Sequence, residues 1–162
     1  AFPGTISLKT ETYFSLVEDI LNSLYRSGFR RILFVNGHGG NSPVLAKIQE
    51  WLICHDDARV KMHNWWNAPQ TQKQVESIDS VASHASWMEN FPITRLKDVN
   101  MPSEQKPMID LAINRQLSAA QVRQYCGDGN YGGYYFKDDD LMAEVWKIGV
   151  EETREALEND WA

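Results

Sequence analysis

Apolar residues recur every three or four positions in three stretches of the chain, a spacing typical of amphipathic helices that face a core. Thr10 is the expected N-cap of the first helix, and Gly28 is the expected C′ residue. Two shorter apolar runs are typical of strands, and the order helix, strand, helix, strand predicts an α/β fold with a parallel sheet. The predicted helices cover residues 10–27, 42–54 and 138–158, and the predicted strands cover residues 31–35 and 59–64.

The remaining segments carry weaker patterns. Residues 70–80 are polar and are expected to form a loop or a lid, and residues 81–90 are expected to open a short helix. Two strands alone do not make a stable doubly wound sheet, so either residues 2–8 and the region after Trp87 add strands or the chain belongs to a larger fold. The other expected features are an irregular stretch at residues 92–107, a helix capped by Ser118 that ends near residue 125, and a glycine-rich loop at residues 127–133.

Composition narrows the class of protein. A chain of 162 residues with 43% hydrophobic and 23% charged residues is expected to form a single domain over residues 1–162. The net charge of −6 and the lack of a basic cluster argue against a nucleic-acid partner. No apolar run approaches the roughly 20 residues that cross a bilayer, and no signal-peptide pattern begins the chain. We therefore expect a cytoplasmic protein with no membrane partner.

His38 lies between glycines directly after the first predicted strand, in the run Asn36-Gly37-His38-Gly39-Gly40-Asn41. Open α/β sheets place their active sites at the carboxyl ends of strands. Glycines let a ligand approach the backbone closely because they carry no Cβ. The run therefore favours a metal site or a catalytic base, and the alternative is a glycine-rich turn that happens to contain a histidine.

His84 and Glu89 form a second stretch with candidate chemistry. Imidazole and carboxylate groups suit a divalent metal such as zinc or manganese, and a histidine beside a metal is suited to proton transfer in hydrolysis. The alternative is a capping histidine with a solvated glutamate. Trp65, Trp66 and Trp87 are candidates for the wall of a small-molecule pocket, or for the core.

Three motifs together resemble the creatininase (creatinine amidohydrolase) family in order and spacing: Phe2–Leu8, Leu33–Asn41 and His84–Glu89. The resemblance implies an α/β/α three-layer sandwich with a mostly parallel sheet. It also implies two divalent metals, hydrolysis of C–N bonds in cyclic or linear amides of small polar compounds, and a homo-oligomer.

The resemblance also implies roles for individual residues. His38 and Glu89 correspond to metal ligands, and His84 corresponds to the residue that transfers a proton. Ser86 replaces a glycine of the family motif, which suggests a divergent substrate branch in which Trp87 enters the pocket. The residues expected to contact substrate are Gly39, Gly40, Asn41, Trp65, Trp66 and Trp87.

Family members carry a Glu-x-His pair and a bridging aspartate ahead of the Phe-Pro-Gly-Thr segment, with which this chain begins. We therefore expect a domain truncated at its N-terminus. A two-metal site needs a bridging carboxylate and several ligands, so we expect this chain alone to bind metal weakly or not at all and to be inactive.

Two alternatives remain open at this point. One is a non-catalytic remnant that serves as a binding or oligomerisation module. The other is a sugar- or inositol-related hydrolase of the same fold, for which residues 70–80 and the cluster Tyr131, Tyr134 and Tyr135 would suit a hydroxyl-rich ligand.

Overall fold

The computed structural model describes residues 2–161 and has a mixed α/β architecture with a parallel sheet. This confirms the predicted fold class, and the three-layer arrangement stays a prediction. In the described residues the helices are α1 (Thr10–Arg26), α2 (Val44–Ile53), α3 (Pro69–Ile78), α4 (Leu111–Asn114), α5 (Ala119–Cys126) and α6 (Asp139–Glu158), and the strands are β1 (Arg31–Asn36) and β2 (Arg59–Asn64). Short 3₁₀ turns cover Gly39–Asn41, Trp65–Asn67, Trp87–Glu89 and Pro92–Thr94.

The described chain divides into two compact units. The strand unit comprises residues 6–68 and 149–161, and the loop unit comprises residues 2–5 and 69–148, so the boundary in α6 falls between Ile148 and Gly149. A single domain over residues 1–162 stays a prediction.

The strand unit is built on the parallel pair β1 and β2. Their register runs without interruption from Arg31 opposite Arg59 to Asn36 opposite Asn64. Because both strands end at the same level, the turns that follow them lie at one edge of the sheet. Helix α1 packs against α2, and α2 packs against β2. The buried core residues of this unit are Val17, Leu21, Ile32, Val44, Ile48, Trp51 and Ala58.

The loop unit has little regular structure and buries a different set of side chains. Phe91 packs edge-to-face on Trp146, with ring centroids 5.4 Å apart. Asp79 and Lys137 form an ion pair at 2.7 Å, in which both side chains are mostly buried. The buried apolar residues of the unit include Val75, Trp87, Met88, Phe91, Cys126, Met142 and Val145.

Most predicted elements are confirmed, with small shifts at their ends. Strand β2 has the predicted bounds, and α5 follows Ser118 as expected. Gly28 has a φ of +93° directly after the C-cap residue Ser27, which confirms its predicted place at the end of α1. Thr10 was expected as the N-cap, but it is the first helical residue, and the side chain of the N-cap Lys9 makes no capping hydrogen bond.

Three expectations about the loop unit and the sheet need correction. Residues 70–80 are not a loop, because α3 covers Pro69–Ile78 and buries Thr71 and Val75 four residues apart. Residues 81–90 open no α-helix, because the chain turns at Ala85 with a φ of +55° and forms only a 3₁₀ turn. Residues 2–8 form no strand, and the described region after Trp87 adds only an isolated antiparallel bridge between Lys106 and Gly133.

Among the described residues, no helix is both long enough and apolar enough to span a bilayer.

Candidate functional site

Asn36 organises the edge of the sheet where β1 and β2 end. Its side-chain amide donates to Asn64 Oδ1 at 2.8 Å, which ties the two strand ends together. Its Oδ1 accepts hydrogen bonds from the backbone N–H of His38 and from Asn41 Nδ2, both at 3.1 Å. Asn36 is itself buried. The glycine-rich turn that carries His38 is therefore anchored at both ends by one buried amide.

Gly40 makes room for the imidazole of His38. A Cβ built on Gly40 would lie 2.5 Å from His38 Nε2 and 2.9 Å from His38 Cδ2, which is closer than real Cβ atoms approach. A Cβ on Gly39 would lie 3.9 Å from the Trp66 ring, so this tryptophan borders the same turn. The structure thus brings His38, Gly39, Gly40 and Trp66 together at the sheet edge of the strand unit. Asn41 joins them through Asn36, and Trp65 precedes Trp66 in the turn after β2.

His84 and Glu89 face each other in the loop unit. His84 Nδ1 lies 3.7 Å from Glu89 Oε1, and about two-fifths of each side chain is exposed. Residues five apart on a helix do not meet in this way, and here the turn at Ala85 brings them together. Its φ of +55° is uncommon for a residue with a Cβ, and backbone strain of this kind clusters at functional sites.

Ser86 closes the turn that carries His84. Its hydroxyl donates to the carbonyl oxygen of Ser83 at 2.7 Å and accepts from the backbone N–H of Ser83 at 2.9 Å. The hydroxyl of Ser83 donates in turn to the carbonyl oxygen of Gly132 at 2.6 Å. Ser86 is buried, so it supports the turn from inside the unit.

Trp87 supports the same turn from the core. Its side chain has no exposed surface, and its indole N–H donates to the carbonyl oxygen of Val81 at 3.0 Å. Its backbone N–H donates to the carbonyl oxygen of Tyr134 at 2.8 Å. The position of Trp87 is that of a core residue, and its role as a substrate contact stays a prediction.

Tyr131 contacts His84 directly, a neighbour that the sequence analysis did not identify. Its backbone N–H donates to the carbonyl oxygen of His84 at 3.0 Å, and the two ring centroids lie 4.6 Å apart. The only sequence sign of this contact was the run of glycines around Tyr131, which indicated an unusual loop without indicating its partner.

A partly exposed ionic network, which the sequence did not indicate, joins Lys106, Asp128 and Tyr135 in the same unit. Burial raises the pKa of Asp128, but hydrogen bonds from Lys106, Tyr135 and the Asn130 backbone outweigh it, so its pKa lies below the ordinary value. The hydrogen bond that Tyr135 donates to Asp128, with smaller contributions from burial and from the charge of Asp128, raises the pKa of Tyr135 to about 12. Both side chains therefore keep the ionisation state that maintains the network at neutral pH.

The described residues do not form a complete metal centre. His84 and Glu89 offer one nitrogen and one oxygen donor, but residues 2–161 hold no group of three or more His, Cys, Asp or Glu side chains placed to bind an ion. Zinc sites in proteins use three or four protein ligands, so two donors do not match that requirement.

A family model described as creatininase, creatinine amidohydrolase, matches residues 1–157. The chain belongs to the creatininase family. The membership suggested by the three motifs is thereby confirmed, and the family is one of hydrolases.

Solved creatininase structures share the fold of this creatininase-family chain. A tryptophan-to-phenylalanine mutant of creatininase matches with a TM-score of 0.65 at 20% identity, over 98% of this chain and 68% of that chain. A structure named "Creatininase Mn" matches with a TM-score of 0.61 at 23% identity, over 98% of this chain and 68% of that chain. Comparison with curated proteins finds no significant match.

Proposed function

We propose that this creatininase-family chain serves the hydrolysis of a C–N, amide-type bond in a small polar or cyclic substrate, with a divalent metal. The observation that carries the proposal is the His84–Glu89 pair, held 3.7 Å apart by a strained turn in a chain of this family. An imidazole beside a carboxylate is a common arrangement for general acid and base catalysis.

His84 is the residue to which we assign the proton transfer. The Glu89 carboxylate lies 3.7 Å from Nδ1 of His84 and orients the imidazole, as carboxylates do for catalytic histidines. In the proposed hydrolysis a water molecule loses a proton and its oxygen bonds to the carbonyl carbon, while His84 delivers a proton to the nitrogen that leaves, so that a C–O bond replaces the C–N bond. Because about two-fifths of each side chain is exposed, a substrate has access to the pair.

We assign metal binding to His38 in the strand unit and Glu89 in the loop unit. The proposed metal is zinc or manganese, and the name "Creatininase Mn" of one structural neighbour supports a divalent cation in this family. Since the described residues bring together no group of three donors, we propose that the chain by itself binds the cation weakly and is impaired as a hydrolase.

The turn at the sheet edge is the proposed wall for the substrate. Gly39 and Gly40 leave backbone uncovered beside His38, and Asn41 offers an amide that is already oriented by Asn36. Trp65 and Trp66 add aromatic faces at the end of β2, and half-buried aromatic side chains are typical of small-molecule pockets.

The contacts of the tyrosine cluster weigh against a hydroxyl-rich sugar as substrate. The hydroxyl of Tyr135 donates to Asp128 at 2.6 Å, and the ring of Tyr134 lies 4.2 Å below the ammonium group of Lys137. Both side chains are therefore engaged within the unit, which leaves amide hydrolysis as the favoured proposal.

The test is an assay of the purified chain on a panel of linear and cyclic amides, including creatinine, with added zinc or manganese. We expect slow turnover that needs added metal, little metal retained after dialysis, and a loss of about a hundredfold or more in His84→Ala. Glu89→Gln should lower both metal affinity and turnover, and the exposed Glu104→Gln in the same unit should change neither.

Each component of the proposal has its own contradicting outcome. Turnover that survives in His84→Ala contradicts the proton-transfer role. Near-stoichiometric metal after dialysis contradicts weak binding. No turnover of any amide at saturating metal contradicts the hydrolase proposal and favours a binding or oligomerisation module.

A further inference from the structure

We propose that Tyr131 positions the imidazole of His84, and that Lys106 holds the loop from which Tyr131 does so. The catalytic consequence rests on the proposed function, because it assumes that His84 transfers the proton. The contacts themselves do not depend on that assumption.

Tyr131 touches His84 through both its backbone and its ring. The backbone N–H of Tyr131 donates to the carbonyl oxygen of His84 at 3.0 Å, which sets the distance between the two loops. The two rings lie 4.6 Å apart at an interplanar angle of 55°, within the range of favourable ring pairs. With Glu89 near Nδ1 and the phenol ring packed beside it, the imidazole has two neighbours that restrict its orientation.

The backbone around Tyr131 is tied to a second segment, residues 106–109. The carbonyl oxygen of Tyr131 accepts a hydrogen bond from the backbone N–H of Ile109 at 2.8 Å, and Gly133 exchanges two backbone hydrogen bonds with Lys106 at 2.9 and 3.0 Å. A Cβ on Gly132 would lie 2.6 Å from the Cα of Met108, so the two segments are in close contact. The position of Tyr131 is therefore set from the side opposite His84.

Lys106 supplies the polar centre of this arrangement. Its ammonium group donates to the carbonyl oxygens of Cys126 and Asn130, both at 2.6 Å, and to Asp128 Oδ1 at 2.5 Å. A lysine has three N–H donors, and all of them are used here. Because Asn130 directly precedes Tyr131, the lysine fixes the start of the segment that reaches His84.

The exposure of Tyr131 distinguishes a positioning role from simple core packing. The residue is only partly buried, unlike Trp87 or Met142 in the same unit, which are fully covered. A ring kept at the surface beside a partly exposed imidazole contributes less to the core than to the orientation of its neighbour.

The test uses nuclear magnetic resonance of the full chain labelled at histidine, with Tyr131→Leu and the conservative Tyr131→Phe. We expect Tyr131→Leu to shift the His84 ring resonances and Tyr131→Phe to restore them, because phenylalanine keeps the ring. Tyr134→Leu is the matched control, since it removes a ring three residues along the same loop and should leave His84 unshifted. Lys106→Met should shift His84 in the same direction as Tyr131→Leu.

Turnover provides a second measurement. Displacing a catalytic group by about 1 Å costs about a hundredfold, so Tyr131→Leu should lower kcat by tenfold to a hundredfold with KM little changed, and Tyr131→Phe should stay near the parent. His84 resonances that do not move in folded Tyr131→Leu overturn the proposal. So does the absence of a nuclear Overhauser contact between the two rings in the unsubstituted chain, a measurement that needs no variant. Resonances that shift in a chain without turnover contradict the proposed function and leave the positioning contact intact.

Discussion

The position of each candidate imidazole depends on a small residue close by in the sequence. His38 has an extended backbone, and its imidazole lies where a side chain on Gly40 would be. His84 is turned towards Glu89 by the positive φ of Ala85, and Ser86 closes that turn with its hydroxyl. In both cases the small residue beside the histidine decides where the imidazole lies.

Replacing Gly40 by alanine should displace the imidazole of His38. The new Cβ would lie 2.5 Å from His38 Nε2, so the ring must rotate away, and its resonances should shift. Because the ring is the mobile end of a side chain, we expect the free energy of unfolding to change by less than about 1 kcal/mol. Zinc or manganese affinity, measured by calorimetry, should fall about tenfold or more.

Gly37→Ala is the matched control, because a Cβ at Gly37 meets nothing within 4 Å. It should leave both the His38 resonances and the metal affinity unchanged. A Gly40→Ala protein with unshifted His38 resonances would show that the imidazole does not lie over Gly40 in solution.

The helices differ in how their first turns are stabilised. Helix α5 begins with a capping box, in which the Ser118 hydroxyl accepts from the Gln121 backbone and the Gln121 side chain accepts from the Ser118 backbone. Helix α1 has no such cap, because Lys9 precedes it and Thr10 is already helical. A hydroxyl residue precedes or begins an apolar repeat at both sites, but only Ser118 stabilises its helix by capping the first turn.

We predict that Ser118→Ala lowers the free energy of unfolding by about 1 kcal/mol, because the N3 amide loses its hydrogen-bond acceptor. Thr10→Ala should change it by less than about 0.5 kcal/mol or raise it slightly, because alanine is the better helix former at a helical position. Urea denaturation with unchanged m-values measures both. Equal losses in the two variants would contradict the capping difference.

In the molecule as a whole, three carboxylates in the two units are held ionised by partners distant in sequence. Hydrogen bonds from Tyr25 and Arg30 lower the pKa of Asp57. Burial raises the pKa of Asp79, but hydrogen bonds from Lys137 and the Val81 backbone lower it by more, so the net pKa is below its ordinary value. Burial also raises the pKa of Asp128, and hydrogen bonds from Lys106 and Tyr135 lower it by more.

These lowered pKa values predict a loss of stability in acid. A carboxyl group with a lower pKa in the folded state stabilises the fold above its unfolded pKa of about 3.9, and this contribution disappears as the pH falls through the folded pKa. The free energy of unfolding should therefore be nearly constant from about pH 5 to 7 and fall below about pH 4.

Asp79→Asn should make that decrease shallower, because the substituted side chain no longer titrates. Asp19→Asn, at an exposed position on α1, is the control and should leave the slope unchanged. Denaturant titrations at a series of pH values provide the measurement, and identical slopes for Asp79→Asn and the parent would contradict the role of this ion pair.

The sequence determined most of the regular elements and the family. The three- and four-residue apolar spacing of α1, α2 and α6 and the apolar runs of β1 and β2 are properties of neighbouring residues, so they are visible without a fold. Helix α3 was missed because its buried stripe consists of only Thr71 and Val75 among polar residues. A pattern that sparse becomes a helix only when a neighbouring surface covers it.

The sequence also identified His38, His84 and Glu89 as candidates, because an imidazole between glycines after a strand and an imidazole five residues before a carboxylate are chemically distinctive. It did not show that Ala85 turns His84 towards Glu89, that Tyr131 lies against the imidazole, or that Lys106 joins Cys126, Asp128 and Asn130. These contacts connect residues up to 47 positions apart, as between His84 and Tyr131. Only the tertiary structure decided them, because the separation of two residues along a chain does not set their distance until the segments between them have packed.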